Sequence, residues 1–342
     1  MPTQEFTSGS AELLSMPIHE LGLKIEGSRL EPILAEFDQE LKRAGIRRLR
    51  PHYYLSTEWG VPWNSVSIAI PFYLARDDLT VLHARHNGHV EGTSRRDVLR
   101  YLRHEMGHVV NYAYSLYERQ EWVHHFGSIT QPYEEEYRPD PFSRRFVRHL
   151  PGWYAQKHPD EDWAETFAVW MTPGLDWRAE HADRPEALAK LRYCDRTMTA
   201  LADRDPLITT EDRDEDVSNL KYTLGELYSH TATATEMPGG LDGSLRTIFE
   251  ELGTWEDTTT TAPRRPAAGL LQRLEQDLPA NVYRWTGHFP EHTRALLRHL
   301  ARRAEELQQV YPADRELQAS LAVTTLVTAL AMNHVRHGSY LP

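Results

Sequence analysis

Apolar positions along this chain follow two periods, and the change between them separates long helices from a few short strands. Between Gly27 and Gly45, Leu30, Ile33, Leu34, Phe37 and Leu41 recur at helical spacing, which predicts an amphipathic helix ended by the glycine. His52–Ser56 is rich in aromatic residues, and Ser65 to Ile70 alternates small and β-branched residues until Pro71 stops further pairing. Both read as short strands, the second near a sheet edge and able to pair with an extended peptide. Ser94 and Asp97 then stand at capping-box spacing and open a helix whose apolar stripe is Val98, Leu102, Met106, Val109 and Ala113. Tyr101, Val110 and Tyr112 add apolar surface away from that stripe, so this helix is expected to be buried on several sides.

Glu118 to Leu150 is irregular, aromatic and charged, with Pro132, Pro139 and Pro141 breaking any long helix, and suits the wall of a cleft. A helix starts at Pro159, with Asp160, Glu161 and Asp162 in its first turn, where the helix dipole favours acids. It runs through Trp163, Phe167 and Trp170 to Thr172-Pro173-Gly174. Another helix is expected across Pro185 to Asp203. Helical periodicity returns over Leu270 to Leu278, His292 to Val310 and Glu316 to Val335, after a stretch from Trp255 to Gly269 whose threonines and prolines suit a linker. The pattern predicts an α+β fold: a domain over 1–254 with a small β-sheet lobe, a linker over 255–269 and a helical domain over 270–342.

Composition narrows the classes. A net charge of -12 argues against general nucleic-acid binding, which needs a basic face. Met1 to Leu23 lacks a basic start followed by an apolar core, and no run approaches the roughly 18 apolar residues of a membrane span. Neither nucleic acid nor membrane is therefore an expected partner. The single cysteine, Cys194, reads as a core residue; it excludes an internal disulfide framework, makes the cytoplasm the default compartment and leaves His and carboxylates as metal ligands.

The chemistry concentrates in His104-Glu105-Met106-Gly107-His108. On a helix, histidines four residues apart share a face and can share a metal ion, with Glu105 beside them to take a proton from water. A metzincin would carry Gly and His three and six residues after His108, but Asn111 and Tyr114 stand there. His124 and His125 are possible third ligands without a clear scaffold. Glu161 fits better, because Glu161 and Glu165 lie one turn apart on one helical face. The first can bind zinc and the second can accept a hydrogen bond from a ligating imidazole. His83, His86 and His89 sit in a segment that reads as polar surface, and His158 stands where a helix cap is expected.

The motif His104 to His108, followed by Tyr154-Ala155 and by His158 to Ala168, resembles a bacterial family of zinc-binding metallopeptidases of the gluzincin type. More distantly it resembles the catalytic domain of anthrax lethal factor. The similarity runs from about Leu55 to about Leu201, under half the chain, and the cysteine-rich zinc ribbon that precedes the domain in some family members is missing. The resemblance implies zinc ligands His104, His108 and Glu161, Glu105 as the base and Glu165 as the carboxylate that orients a ligand. Tyr154, seven residues before Glu161, matches a tyrosine that would donate to the developing oxyanion. The expected activity is zinc-dependent hydrolysis of peptide bonds in a peptide or protein substrate. A non-proteolytic zinc-binding interaction protein and a zinc hydrolase of a non-protein amide are the alternatives the sequence leaves open.

Overall fold

The computed structural model describes residues 6–87, 90–133, 137, 139–140, 142–230, 240–251 and 262–340. The chain is α+β, dominated by helices, and forms two compact units. Met1–His86 and Val90–Thr231 make the first, Asn87–His89 and Ala232–Pro342 the second.

In the first unit the amphipathic helix spans Leu30–Arg43, and Gly45, at φ +83°, turns the chain in a conformation that disfavours side chains. Strands β1 (His52–Ser56) and β2 (Ser67–Pro71) pair in parallel, from His52 opposite Ser67 to Ser56 opposite Pro71. The reading of β2 as an edge open to substrate fails. All five of its residues are buried, the Ala69 N–H donates to Gly60 O at 2.8 Å, and the Ser67 N–H donates to Ser65 Oγ. Ile68 and Ile70 instead join one core with Phe37, Phe72, Leu102, Met106, Trp163 and Phe167.

The helix carrying the motif spans Arg95–Ala113. Ser94 caps it, with its hydroxyl accepting the Asp97 N–H and the Asp97 carboxylate accepting the Ser94 N–H. All five residues of its apolar stripe have no exposed surface, and Tyr101, Val110 and Tyr112 are buried on other faces. Glu118 to Leu150 is less irregular than its prolines suggest, since Gln120–Phe126 forms a helix that buries Trp122 completely. The segment of His83 and His86 is a helix too, Asp77–Asn87. His83 is not surface but buried, its ring stacked 3.6 Å from Tyr73; His89 lies outside the described residues. Pro159–Met171 and Pro185–Leu201 complete the frame, and Cys194 is buried in the core.

The second unit has its own core, in which Leu270, Leu271, Leu297, Leu300, Val323 and Val327 meet. It reaches upstream of the boundary expected at 254, because Leu241, Leu245 and Phe249 bury themselves in that same core. The linker reading fails where it can be followed: residues 255–261 lie outside the described residues, but Ala267–Leu274 is helical. Strand β4 (Arg264–Pro266) and strand β3 (Glu250–Glu251) flank β5 (Gln309–Pro312), both antiparallel to it. The helix predicted to Val310 ends at Glu306. Gln308, at φ 51°, leaves the helical region and turns the chain into β5. Leu278–Thr286 and Glu316–His337 supply the remaining long helices of this unit, and no helix among the described residues is long and apolar enough to cross a membrane.

Candidate metal centre

Two helices of the first unit build the site. The HExxH helix and the Pro159–Met171 helix touch at Gly107, where a Cβ would stand 2.7 Å from Ala164 Cα and 3.2 Å from its carbonyl oxygen. Any side chain there would drive the helices apart. The Trp163 indole N–H donates to Gly107 O at 2.8 Å and fastens the same crossing. His158 caps the second helix: its Nδ1 accepts the Asp160 N–H at 3.2 Å, and its Nε2–H donates to Gln131 O at 3.0 Å.

At this crossing His104 Nε2, His108 Nε2 and Glu161 Oε2 face one another. The two nitrogens are 3.2 Å apart, and Glu161 Oε2 lies 3.0 Å from the first and 3.4 Å from the second. Zinc bonds of about 2.0–2.1 Å at tetrahedral angles would separate ligand atoms by about 3.3 Å, so the triangle fits a divalent ion of that size. Among the described residues it is the one group of three His, Cys, Asp or Glu side chains close enough to share an ion. His124 and His125, on the Gln120–Phe126 helix, do not belong to it.

The far side of each imidazole is also fixed. His104 Nδ1–H donates to Glu165 Oε1 at 3.0 Å, and His108 Nδ1–H donates to Asp160 Oδ2 at 2.9 Å. With Nδ1 committed to those acceptors, each Nε2 faces the triangle and, once it gives up its own proton, offers a lone pair there, the tautomer a metal requires. Glu165 is held in turn by the backbone N–H groups of His149 (2.6 Å) and Leu150 (2.9 Å), and Asp160 by the Asn111 amide (2.6 Å) and the Tyr112 hydroxyl (2.5 Å).

Glu105 is buried beside the two histidines, on the same helix. Tyr154 lies on a short 3-10 turn, Pro151–Gln156, with its ring 5.6 Å from that of His104. Trp153, just before it, holds φ 57°, a strained conformation of the kind found where a side chain must be aimed. The Tyr154 hydroxyl is 3.3 Å from that of Tyr133, and Tyr133 donates to Glu161 Oε1 at 2.7 Å.

The electrostatics follow from burying so many carboxylates at one helix start. Burial opposes a charge on His104, yet hydrogen bonds to Glu161 and Glu165 outweigh it and lift its pKa to about 9. His108 is lifted likewise by Asp160 and Glu161 against the effect of burial. Burial alone would raise Glu161, but the two imidazoles hold it well below the usual carboxylate range. Burial does raise Glu105, partly offset by His104 and His108, which makes it a stronger base. Burial also keeps the Tyr154 phenol protonated, ready to donate. Buried carboxylates and the imidazoles they charge thus balance one another at the crossing.

The structure therefore brings His104, His108, Glu161, Glu165, Glu105 and Tyr154 into one place. Asp160 was read from sequence only as a helix-start acid, yet it orients His108. The signal was available, since a second ligand imidazole also needs an acceptor and Asp160 adjoins Glu161. Nothing in the sequence pointed to Tyr133. Comparison of the chain with protein-family models, with curated proteins and with solved structures finds no match.

Proposed function

We propose that the protein is a zinc metallopeptidase of the gluzincin type. The observation that carries this is the triangle of His104 Nε2, His108 Nε2 and Glu161 Oε2, with the buried Glu105 beside it. Zinc held by those three residues would supply Lewis-acid activation of water and of the scissile carbonyl. Glu105 takes the proton of the attacking water and delivers it to the leaving amine. Tyr154 donates a hydrogen bond to the carbonyl oxygen as it gains charge. Glu165 and Asp160 keep both imidazoles in place through the reaction. The substrate is a peptide or protein, and the lone buried cysteine agrees with the cytoplasm as the compartment.

The test measures zinc content and cleavage of a broad peptide library by the wild type and Glu105→Gln. Full zinc in both with cleavage lost in the variant supports the proposal. A zinc-loaded wild type that cleaves nothing would point instead to a binding role or a non-peptide amide substrate.

A further inference from the structure

Glu161 presents two oxygens to the site, and only one faces the histidines. Oε2 stands within 3.4 Å of both Nε2 atoms, whereas Oε1 accepts the Tyr133 hydroxyl at 2.7 Å. A carboxylate that turned both oxygens to an ion would occupy two positions around it and remove the open one that hydrolysis needs. The Tyr133 bond prevents that turn. The ring is itself held, because Lys157 Nζ lies 4.3 Å from its centroid, over the face. Tyr133 is half exposed and contributes little to the core, so its polar contact is the role that needs explaining.

We infer that Tyr133 is a positioning residue of the metal centre: its phenol holds Glu161 as a one-oxygen ligand and so keeps a coordination position free. The inference rests on the proposed zinc site and adds a residue outside the sequence motif. Its hydroxyl reaches the two histidines' partner carboxylate through the bond to Glu161 Oε1.

Cobalt(II) loaded in place of zinc reports this directly, since its visible bands are strong in four-coordinate sites and weaken when a fifth ligand atom binds. In Tyr133→Phe, Oε1 is released, the bands weaken and shift to shorter wavelength, and zinc affinity measured by chelator competition falls by about 10-fold. Tyr154→Phe, which leaves the Glu161 contact intact, keeps the wild-type bands. A Tyr133→Phe spectrum and zinc affinity equal to wild type would overturn the inference, as would the same loss in both variants. A wild type that takes up neither metal overturns the proposed site along with it, so the two failures are told apart.

Discussion

Gly107 and Ala164 lie so close that the two ligand-bearing helices meet backbone to backbone, with room for a hydrogen where any other residue would place a carbon. This contact sets the distance between the pair His104 and His108 on one helix and Glu161 on the other. Gly107 is thus the residue of the motif that fixes geometry without offering a donor atom.

Gly107→Ala is expected to cost more than it gains. Alanine favours a helix by about 1 kcal/mol over glycine, but overpacking against a backbone atom costs about 1–3 kcal/mol and separates the ligands. The variant should melt lower than wild type and purify with less zinc. Retained zinc at an unchanged melting temperature would mean that the crossing is softer than its contacts indicate.

Asp160→Asn removes the negative charge that accepts the His108 proton while keeping the shape. Zinc affinity should fall by about 10–100-fold, with Glu165→Gln acting likewise through His104. Glu165→Gln should also unfold more easily, because its carboxylate accepts two backbone N–H groups that an amide nitrogen could not satisfy; an unsatisfied buried group costs about 1–3 kcal/mol. Chelator competition and urea unfolding separate the two effects.

The pH dependence has opposite signs with and without metal. In the metal-free protein His104 has a folded pKa of about 9, above its unfolded value, so its charge stabilises the fold fully below about 6.5 and that stability is lost as pH rises through about 9. Zinc needs the neutral imidazole and displaces that proton, so its apparent affinity should rise with pH over the same window, by up to about tenfold per unit for each proton released. The melting temperatures of loaded and stripped protein should therefore diverge between pH 6.5 and 9. Curves that stay parallel would remove the imidazole protons from the linkage.

Asp162, between Glu161 and the helix interior, is engaged elsewhere. Its Oδ2 accepts the Lys190 ammonium at 2.5 Å in a buried pair, and burial, only partly countered by Lys190, raises its pKa to about 7. Lys190→Met should destabilise the first unit by about 3–5 kcal/mol, since it strands a buried carboxylate. Adding Asp162→Asn should recover much of that loss by removing the charge. Urea unfolding of the single and double variants provides the comparison, and equal stability of the two would show that Asp162 is already neutral when Lys190 is gone.

Helices were the most readable part of the fold, because their apolar stripes are local patterns: Leu30–Arg43, Arg95–Ala113 and Pro159–Met171 agree with their predicted spans to within a few residues. The strands of the second unit were hidden for the opposite reason. Glu250–Glu251 and Arg264–Pro266 carry no alternation and exist only because Gln309–Pro312 gives them a partner.

The site divides along the same line. His104, Glu105 and His108 stand on one helix at spacings the helix itself converts into geometry, and Glu161 and Glu165 do so on another; sequence alone determined those two sets. Their meeting, 57 residues apart from His104 to Glu161, depends on one glycine and one indole hydrogen bond at a helix crossing. Asp160 beneath His108, two backbone amides on Glu165 and the Tyr133 phenol on Glu161 were decided only by tertiary packing. A buried charge must find its partners wherever the folded chain supplies them, and no local period records where that is.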